Sequence, residues 1–567
     1  MRADVRGFNA PALRAGWTWS TPTWRRIIGW RPALTSESTS LWAGLYVSLS
    51  ANTAFWKAYL SLEGSGAGTL ATAASLALAL VAANVLIMLL LVWRATAKPV
   101  LVALLLLASA ASYAMQAYGI VFDPDMVRNV LYTDRREAIE LLSPALLGWV
   151  GLFGLLPALL VLRLRVIALP WRRALLRRAG WVAAASGMLA LALALQFQSI
   201  ASTMRLHPDL RHLVTPGNFI VSALRVALED GSDGASPITV GGDATRLAPF
   251  ARRPRLLVVV VGETVRASNW GLNGYARDTT PQLRRRNVVN FTDVTACGTS
   301  TEVSLPCMFS AAGRRDYDRA RIRRSDSALH VLDRAGVDVL WRDNQSGCKG
   351  VCRELPYEAM PLAPSPAECR GPRCFDSVLL QGLDEAIDSR PGDFVLVLHP
   401  LGNHGPAYAA RYPKAFERFR PACAHAQLDR CSRQSIVNAY DNGILYTDAW
   451  LARLIDRLAV RSSHDTALLY VSDHGESLGE RGLYLHGMPL AIAPPEQTRV
   501  PMVLWMSPGM QRSLGVSDAC IRGIQHAPLS HDHVFSTLLA VFDVQTVAHA
   551  PDYDLLSRCR PGRAVAP

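Results

Sequence analysis

Long apolar runs dominate the first 200 residues, whereas the rest of the chain alternates short apolar runs with polar stretches. Five runs approach or exceed the ~20 residues that a helix needs to cross a bilayer. They cover residues 41–62, 69–93, 99–121, 141–162 and 181–197. The first is the least regular, because Asn52 and Lys57 interrupt it. One such run could be a buried core helix, but five together predict a membrane domain with five spanning helices.

Basic residues indicate how these helices are oriented. Arginine and lysine cluster before residue 32, between the second and third runs, and between the fourth and fifth runs. If five helices span the membrane, these segments share one side, and basic loops face the cytoplasm. The odd number of spans then exports everything after about residue 198. We expect no cleavable signal peptide, because no short apolar core with a small-residue cleavage site follows the long basic N-terminal segment.

The cysteines support the same topology. All ten lie between Cys297 and Cys559, in the half of the chain without long apolar runs. Disulfides persist only in oxidising compartments. The net charge of +13 could suggest a nucleic-acid partner. Much of that excess is arginine that sets the membrane topology, and the sequence contains no nucleic-acid-binding motif, so we expect no such partner.

Composition divides the chain into three parts. Residues 1–200 form the predicted transmembrane domain, and residues 251–567 form the predicted catalytic α/β domain. Between them, residues 201–250 form a connector. Its first part mixes polar and apolar residues at helical spacing and is expected to lie on the membrane surface. Its second part is rich in Gly, Ser and Pro and is typical of a linker, with the boundary near Ala251.

Three short apolar runs in the C-terminal half predict buried strands of a parallel sheet. Residues 256–261 (LLVVVV) end at Gly262-Glu263, residues 394–398 end at His399, and residues 467–471 are followed by Asp473-His474. Helical patterns separate them. Alternating strands and helices with polar residues after the strands predict an α/β sheet with a functional site along that edge.

Carboxylates and imidazoles at these strand ends are typical of a site for zinc or another divalent metal. The candidates are Glu263, His404, Asp473, His474 and His486. A lone Glu after a strand is more often a helix cap, and an isolated His-Gly pair is usually a turn. The Asp473-His474 pair is more specific, because a turn at Gly475 lets both side chains reach one ion.

A hydroxyl-rich turn lies between Cys297 and Cys307, with the sequence CGTSTEVSLPC. Thr301 is well placed at the start of a helix, where free N–H groups and the helix dipole stabilise an alkoxide or a phosphoryl group. Alternatively, Thr299, Ser300 and Thr301 are ordinary turn and capping residues. Spacing alone does not identify a nucleophile among the three.

Five strings carry a family resemblance: VVVVGETVRASNWGLNGYARDTTP, CGTSTEVSLPCMFS, LWRDNQSGCKGV, LHPLGNHGPAYAARYP and YVSDHGESLGERGLYLHGMP. At these residues the chain resembles the lipid A phosphoethanolamine transferases, which include the mobile colistin-resistance proteins. These enzymes belong to the alkaline phosphatase and sulfatase superfamily. The resemblance implies a multi-pass protein of the bacterial inner membrane, monomeric, with its catalytic domain in the periplasm.

The resemblance also implies roles for individual residues. The catalytic zinc would be held by Glu263, Thr301, Asp473 and His474. Thr301 would be the nucleophile. His404 and His486 would bind a second zinc or the transferred group, and one of them would move protons. Ser346 and Lys349 would contact the transferred group as well.

A trio in the membrane half would hold the ethanolamine end of the donor. Asn129, Thr133 and Glu137 are spaced i, i+4, i+8, on one face of a helix between the third and fourth spans. From the residues alone, a solvated polar stripe is the better interpretation. One departure from the family is Glu302, where a small residue commonly follows the nucleophile. This carboxylate could bind solvent or raise the pKa of the nucleophile by like-charge repulsion.

The family arrangement implies disulfides between neighbouring cysteines. The implied pairs are Cys297–Cys307, Cys348–Cys352, Cys369–Cys374 and Cys423–Cys431, which leaves Cys520 and Cys559. Sequence alone does not fix the connectivity. A thiolate metal site at Cys348 and Cys352 is the alternative, and the exported location disfavours it.

The resulting hypothesis is a ping-pong transfer of phosphoethanolamine from phosphatidylethanolamine to a lipid A phosphate, through a phosphothreonine. Added positive charge on lipid A would confer resistance to polymyxins and other cationic peptides.

Within the family, the acceptor could instead be a sugar of the lipopolysaccharide core. A glycerol-phosphate transferase would share five spans and a catalytic threonine but usually has few cysteines. A sulfatase would need a Cys or Ser in a C/S-x-P-x-R setting, which the CGTST turn lacks. A lipid sensor would require a damaged metal set.

Overall fold

The computed structural model describes residues 31–62, 67–133, 135–230, 236–246, 253–370 and 373–560. The membrane half is helical. Among the described residues, four of its helices are long and apolar enough to cross a membrane: α3 (Ala67–Leu91), α4 (Ala97–Tyr118), α7 (Pro144–Arg163) and α8 (Trp171–Leu195). They coincide with four of the five predicted spans.

The first predicted span consists of two helices, α1 (Ser36–Ser50) and α2 (Thr53–Leu62). The chain breaks at Asn52, whose side chain is fully buried. Its amide donates to the carbonyls of Val47 (3.0 Å) and Thr215 (2.9 Å), and its oxygen accepts from the Thr215 N–H (2.8 Å). Neither helix alone has the length of a span. The expected count of five spans is therefore not confirmed.

Two short helices, the juxtamembrane helices, connect α4 to α7: α5 (Pro124–Tyr132) and α6 (Arg135–Leu141). Asp123 caps α5 by accepting from the Met126 N–H (2.8 Å), and Pro124 follows as the first helical residue. The helix ends at Thr133, which has an extended backbone. The expectation of one helix carrying Asn129, Thr133 and Glu137 on one face is therefore wrong. The Glu137 side chain lies outside the described residues.

The connector contains α9 (Phe197–Leu206) and α10 (Gly217–Asp230). The segment 236–246 then packs on the catalytic domain. Its strand Thr245–Arg246 pairs with Val544–Gln545, and Asp243 accepts from Thr546 Oγ1 (2.6 Å). The predicted boundary near Ala251 lies outside the described residues.

The catalytic domain is built on a seven-stranded sheet, which confirms the α/β prediction. Its strands are β1 (Arg255–Gly262), β2 (Val289–Phe291), β3 (Asp338–Asp343), β4 (Tyr357–Ala359), β5 (Phe394–His399), β6 (Asp465–Ser472) and β7 (Met502–Met506). The spatial order is β2-β7-β6-β1-β5-β3-β4. The five strands β6, β1, β5, β3 and β4 are parallel, whereas β7 pairs antiparallel with β6 and β2.

The central strand β1 is buried on both faces. Val259 and its odd-numbered neighbours face one hydrophobic cluster, and Val258 and its even-numbered neighbours face the other. Helices cover both faces: α11 (Thr301–Met308), α12 (Arg319–Arg324), α13 (Ala328–Arg334), α14 (Leu383–Asp388), α15 (Arg433–Ala459), α16 (Pro508–Leu514) and α17 (Asp532–Val541). Each fully buried Val or Leu contributes roughly 1.5–3 kcal/mol. Burial on both faces explains the uninterrupted apolar run.

Five disulfides staple the loops of this domain. They join Cys297–Cys307, Cys348–Cys352, Cys369–Cys374, Cys423–Cys431 and Cys520–Cys559. The first four are the pairs that the family resemblance implies, and the fifth joins the two cysteines that it left over.

Candidate active site

The ends of two parallel strands bring three potential metal ligands together. Ser472 at the end of β6 lies opposite Gly262 at the end of β1, so Asp473 and Glu263 leave the sheet side by side. His474 follows directly. The three side chains are fully buried, and their ligand atoms lie within 4.8 Å of one another. Strand register thus assembles a cluster from residues 210 positions apart.

Asp473 has one oxygen committed to the backbone and one directed at the cluster. Its Oδ1 accepts from the N–H groups of Thr264 (3.1 Å) and His474 (2.7 Å). Its Oδ2 is buried without a hydrogen-bond partner among the described residues and lies 3.4 Å from His474 Nε2. That nitrogen is 3.5 Å from Glu263 Oε1. An orphaned carboxylate oxygen beside an imidazole and a second carboxylate fits a divalent cation.

The charges in this cluster shift each other's pKa values. Burial raises the pKa of Asp473 to about 6, and the negative charge of Glu263 adds to the effect. Burial would raise the pKa of Glu263, but the hydrogen bond and charge of His474 hold it well below its ordinary value. Burial would lower the pKa of His474, but the two carboxylates raise it to about 10. Without a cation, a proton on His474 partly balances the buried negative charge.

Thr301 is the hydroxyl of the turn that reaches the cluster. It is the first residue of α11, with Ser300 at the N-cap. Its Oγ1 donates to Glu263 Oε2 (3.0 Å) and lies 3.4 Å from His474 Nε2. Thr299 instead donates to the carbonyl of Met488 (2.6 Å). Thr301 thus contacts two of the candidate ligands, whereas Thr299 binds a backbone carbonyl and Ser300 is the N-cap residue, which lines the same cavity.

Glu302 is paired with arginines of the catalytic domain. Its buried carboxylate accepts from Arg319 (3.2 Å) and from Arg323, both on α12. Two guanidinium groups therefore neutralise the charge that was expected to bind solvent or to raise the pKa of the nucleophile. Glu302 is therefore part of a buried ion-pair group beside Thr301.

A cavity of about 620 Å³ extends from Thr301 toward the membrane helices. The structure brings seven of the predicted site residues to its wall: Asn129, Thr133, Thr301, Ser346, Lys349, His404 and His486. The far end of the cavity is apolar and includes Tyr113, Phe122 and Val130. The catalytic domain and the membrane domain therefore share one cavity, polar at one end and apolar at the other.

Two histidines line the cavity beside the cluster. The His486 ring centre lies 4.4 Å from that of His474 and 5.3 Å from that of His404. His486 Nδ1 forms a hydrogen bond with Glu476 Oε2 (2.8 Å), and the other oxygen of Glu476 accepts a hydrogen bond from the Tyr408 hydroxyl. Glu476 thereby fixes the orientation of the His486 ring.

The sequence did not single out two of the site's polar residues. Glu476, two residues after His474, orients His486, and Gln345 donates to Glu263 Oε2 (3.1 Å). The signal for Glu476 was its position in the Asp-His-Gly-Glu string after a buried strand. A glutamine in a loop carries no comparable signal. Close by, Lys349 donates to Ser346 Oγ (2.9 Å), which ties these two predicted contacts together.

Helix α5 packs directly on the loop that follows His486. Gly487 has φ +88°, a conformation that favours glycine, and its N–H donates to the Thr299 carbonyl (2.8 Å). A Cβ at this position would lie 2.6 Å from Met126 Cε and 3.4 Å from Asn129 Nδ2. The glycine permits close approach between the juxtamembrane helix and the site.

Two family models match the chain. The sulfatase model covers residues 255–544, and the model of the phosphoethanolamine transferases EptA and EptB covers residues 80–230. The first falls on the domain built around the sheet, and the second falls on the membrane helices and connector.

Individual proteins match over 80% or more of the chain. Phosphoethanolamine transferase EptA of Escherichia coli K12 is 35% identical over 94% of this chain and 98% of its own. Phosphatidylethanolamine transferase Mcr-1 of Escherichia coli is 41% identical over 80% of this chain and 84% of its own. The structure of the integral membrane lipooligosaccharide phosphoethanolamine transferase EptA from Neisseria meningitidis superimposes with a TM-score of 0.91. That match has 35% identity and covers 94% of this chain and all of the other.

Proposed function

Because this chain belongs to the phosphoethanolamine transferase family of EptA and Mcr-1, in the alkaline phosphatase and sulfatase superfamily, we propose that it transfers phosphoethanolamine from phosphatidylethanolamine to a phosphate of lipid A. One observation carries the proposal. The Thr301 hydroxyl lies 3.0 Å from Glu263 at the polar end of a cavity whose other end is walled by apolar membrane helices. Such a cavity suits a ligand with a phosphate head and acyl tails.

The donor set fits a zinc ion. Glu263, Asp473 and His474 offer two carboxylates and an imidazole, and Thr301 would supply the fourth ligand. A bound zinc would stabilise the Thr301 alkoxide and the charge on the phosphoryl group. His404 and His486 would hold a second zinc or the transferred group itself.

In the first half-reaction, Thr301 Oγ1 attacks the phosphorus of phosphatidylethanolamine. The bond between phosphorus and the diacylglycerol oxygen breaks, and phosphoethanolamine stays on Thr301. The proton of the hydroxyl moves to the departing oxygen, so diacylglycerol leaves as an alcohol. His486, oriented by Glu476, is the group we assign to carry this proton, with His404 as its neighbour.

In the second half-reaction, an oxygen of the lipid A phosphate attacks the phosphorus on Thr301. The bond between phosphorus and Oγ1 breaks, and the proton that the acceptor phosphate loses moves to Oγ1, which regenerates the hydroxyl. Ser346 and Lys349 would contact the transferred phosphoryl group, since both line the cavity. Asn129 and Thr133 would hold the ethanolamine end, and Glu137 would supply a negative charge for its ammonium group.

The proposed location is the bacterial inner membrane, with five spans and the catalytic domain in the periplasm. The fifth span would be the broken helix pair of α1 and α2. Five disulfides in the catalytic domain support an oxidising compartment. The protein would act as a monomer, and ethanolamine added to lipid A would reduce binding of polymyxins and other cationic peptides.

The test is mass spectrometry of lipid A from a susceptible Gram-negative host. The strains express wild type, Thr301→Ala or Thr299→Ala, with protein levels matched by immunoblot. We expect a phosphoethanolamine adduct and raised polymyxin tolerance with wild type, and neither with Thr301→Ala. The Thr299→Ala control keeps both, because that hydroxyl binds a backbone carbonyl away from the cluster. An adduct on core sugars, with unmodified lipid A, would show that a core sugar is the acceptor. A lipid A adduct with Thr301→Ala would show that Thr301 is not the nucleophile.

A further inference from the structure

Two groups of charged residues join the juxtamembrane helices to the catalytic domain. In the first, Asp125 on α5 lies 3.4 Å from Arg319 on α12, and Arg319 lies 3.2 Å from Glu302 beside Thr301. Arg323 completes the group, since it pairs with Glu302 and lies over the ring of Tyr132 on α5 (5.7 Å). We call this group the front latch. It links a membrane-side helix to the residue next to the nucleophile.

The front latch is buried at one end and open at the other. The side chain of Glu302 is 5% exposed, that of Arg319 13% and that of Asp125 47%. A buried ion pair with two arginines on one carboxylate is expensive to break, whereas a half-exposed pair contributes little and exchanges easily. The pairs between Glu302 and the two arginines therefore stay formed within the catalytic domain, whereas the contact between Arg319 and Asp125 can form and release.

The second group, the rear latch, acts on the other juxtamembrane helix. Glu140 on α6 pairs with Arg411 (2.5 Å) and with Arg373 (2.6 Å). Arg411 is almost fully buried, and its Nε donates to the carbonyl of His404 (2.6 Å). Arg411 thus connects the Glu140 carboxylate of the membrane domain to the backbone of His404, which lines the cavity.

The two latches reach the site at different residues. The front latch ends beside Thr301, and the rear latch ends at His404. Between them lies the cavity wall with Asn129 and Thr133. The nucleophile and this wall come from parts of the chain more than 160 residues apart, so contacts between the domains must set their spacing.

We propose that Glu302, Arg319 and Arg411 are positioning residues, which dock the juxtamembrane helices on the catalytic domain in the arrangement that binds the donor lipid. This proposal rests on the proposed function and assigns the family-atypical Glu302 a role in docking. If the donor binds only the docked arrangement, the apparent KM for the donor rises as the docked fraction falls, while kcat at saturating donor stays constant. A loss of folded protein would instead lower kcat and leave KM unchanged.

The kinetic test uses the full-length protein in detergent with a fluorescent phosphatidylethanolamine, and follows release of diacylglycerol. The variants are Asp125→Asn, Arg319→Gln and Arg319→Lys. The matched control is Arg321→Gln on the same helix, whose partner Asp316 is exposed and belongs to the catalytic domain. We expect Asp125→Asn to raise KM roughly two- to fivefold with kcat within twofold, the range for a weak ion pair. Arg319→Gln also breaks the buried pair with Glu302, so it should raise KM by more. Arg319→Lys restores most of the loss, and Arg321→Gln changes neither constant.

A second measurement does not depend on activity. All ten cysteines are in disulfides, so cysteines introduced at the exposed positions Ser61 and Val460 are available for spin labels. Double electron–electron resonance then measures the distance between the two labels, one on each domain, in detergent. We expect Glu302→Gln to broaden this distribution toward longer distances and Arg321→Gln to leave it as in wild type.

The two measurements separate failure of docking from failure of the proposed function. If wild type releases no diacylglycerol, the proposed donor is wrong, and the distance distributions still decide whether the latches dock the domains. Unchanged KM and an unchanged distribution in the latch variants would overturn the proposal. The same changes in Arg321→Gln would overturn it as well, because they would show a general effect of lost charge.

Discussion

Asp473→Asn removes a charge from the candidate metal cluster while keeping the local hydrogen bonds. Asp473 Oδ1 accepts the N–H groups of Thr264 and His474, and the amide oxygen of asparagine can accept both. The amide nitrogen then replaces Oδ2, the orphaned oxygen that faces Glu263 and His474. The substitution therefore tests the charge at this position with little change in shape.

Two opposite effects on stability follow. In the metal-free protein, burial and Glu263 raise the pKa of Asp473 from 3.8 to about 6, which corresponds to a cost of about 3 kcal/mol at neutral pH. Because the pKa is higher in the folded protein, stability from this group is greatest below about pH 4 and falls as the pH rises through 6. The metal-free variant should lack this decline, but it also loses the charge that most raises the pKa of His474, so its stability at pH 7.5 should stay close to that of wild type.

With zinc bound, the Asp473→Asn variant should be less stable than wild type. Loss of a partner behind a metal ligand weakens affinity about 10–100-fold, and loss of the ligand itself should cost at least the upper value. At saturating zinc, a 100-fold weaker affinity removes about 2.7 kcal/mol of stabilisation. For a domain of more than 250 residues, that corresponds to a melting temperature lower by roughly 3–5 °C.

The assay is thermal unfolding of the purified full-length protein in detergent, after chelation and again after titration with zinc, at pH 5 and pH 7.5. Zinc content is measured in parallel by elemental mass spectrometry. A variant that is strongly destabilised without metal, yet keeps the wild-type zinc shift, would refute the assignment of Asp473 as a ligand.

Three further predictions concern other parts of the site. Gly487→Ala should lose about 1–2 kcal/mol of stability from strain alone, plus donor affinity because its Cβ pushes on the Met126 side chain, which lines the cavity. Gly515→Ala, at φ +68° with open space around it, is the control for strain and should leave the donor KM unchanged. Glu476→Gln should lower kcat about 10- to 100-fold in the diacylglycerol assay, because the cavity histidine loses a charged hydrogen-bond partner worth ~1.5–3 kcal/mol. Removing the Cys520–Cys559 disulfide, which closes a 39-residue loop, should cost about 4 kcal/mol in thermal unfolding, and an unchanged melting temperature would contradict this.

The centre of the fold was predictable because local pattern and tertiary structure agree there. The LLVVVV run is apolar at odd and at even positions, because β1 is buried on both faces. That pattern alone predicted a strand inside a sheet. Parallel neighbours end at the same edge, so Glu263 and Asp473-His474 could be predicted as neighbours from the strand ends.

The parts that failed depend on contacts that no local pattern records. The spacing of Asn129 and Thr133 assumed an unbroken helix, whereas Thr133 has an extended backbone and ends it. The charge of Glu302 was visible in the sequence, but its arginine partners lie 17 and 21 residues further on and meet it only after α12 packs. Gln345 is similarly brought to Glu263 by the sheet, 82 residues away in sequence.

The shared cavity bears on how inhibitors of such a protein should be sought. A fragment containing only the sheet domain keeps Thr301 and the ligand cluster, but it loses the wall made by Tyr113, Phe122 and Val130. Compounds selected on that fragment would meet water where the intact protein presents an apolar surface, and their affinity would come from the polar end alone. Compounds selected on the full chain can use both ends. An amphiphile with a short tail is therefore a better starting point than a small polar chelator, and screening belongs in detergent or lipid.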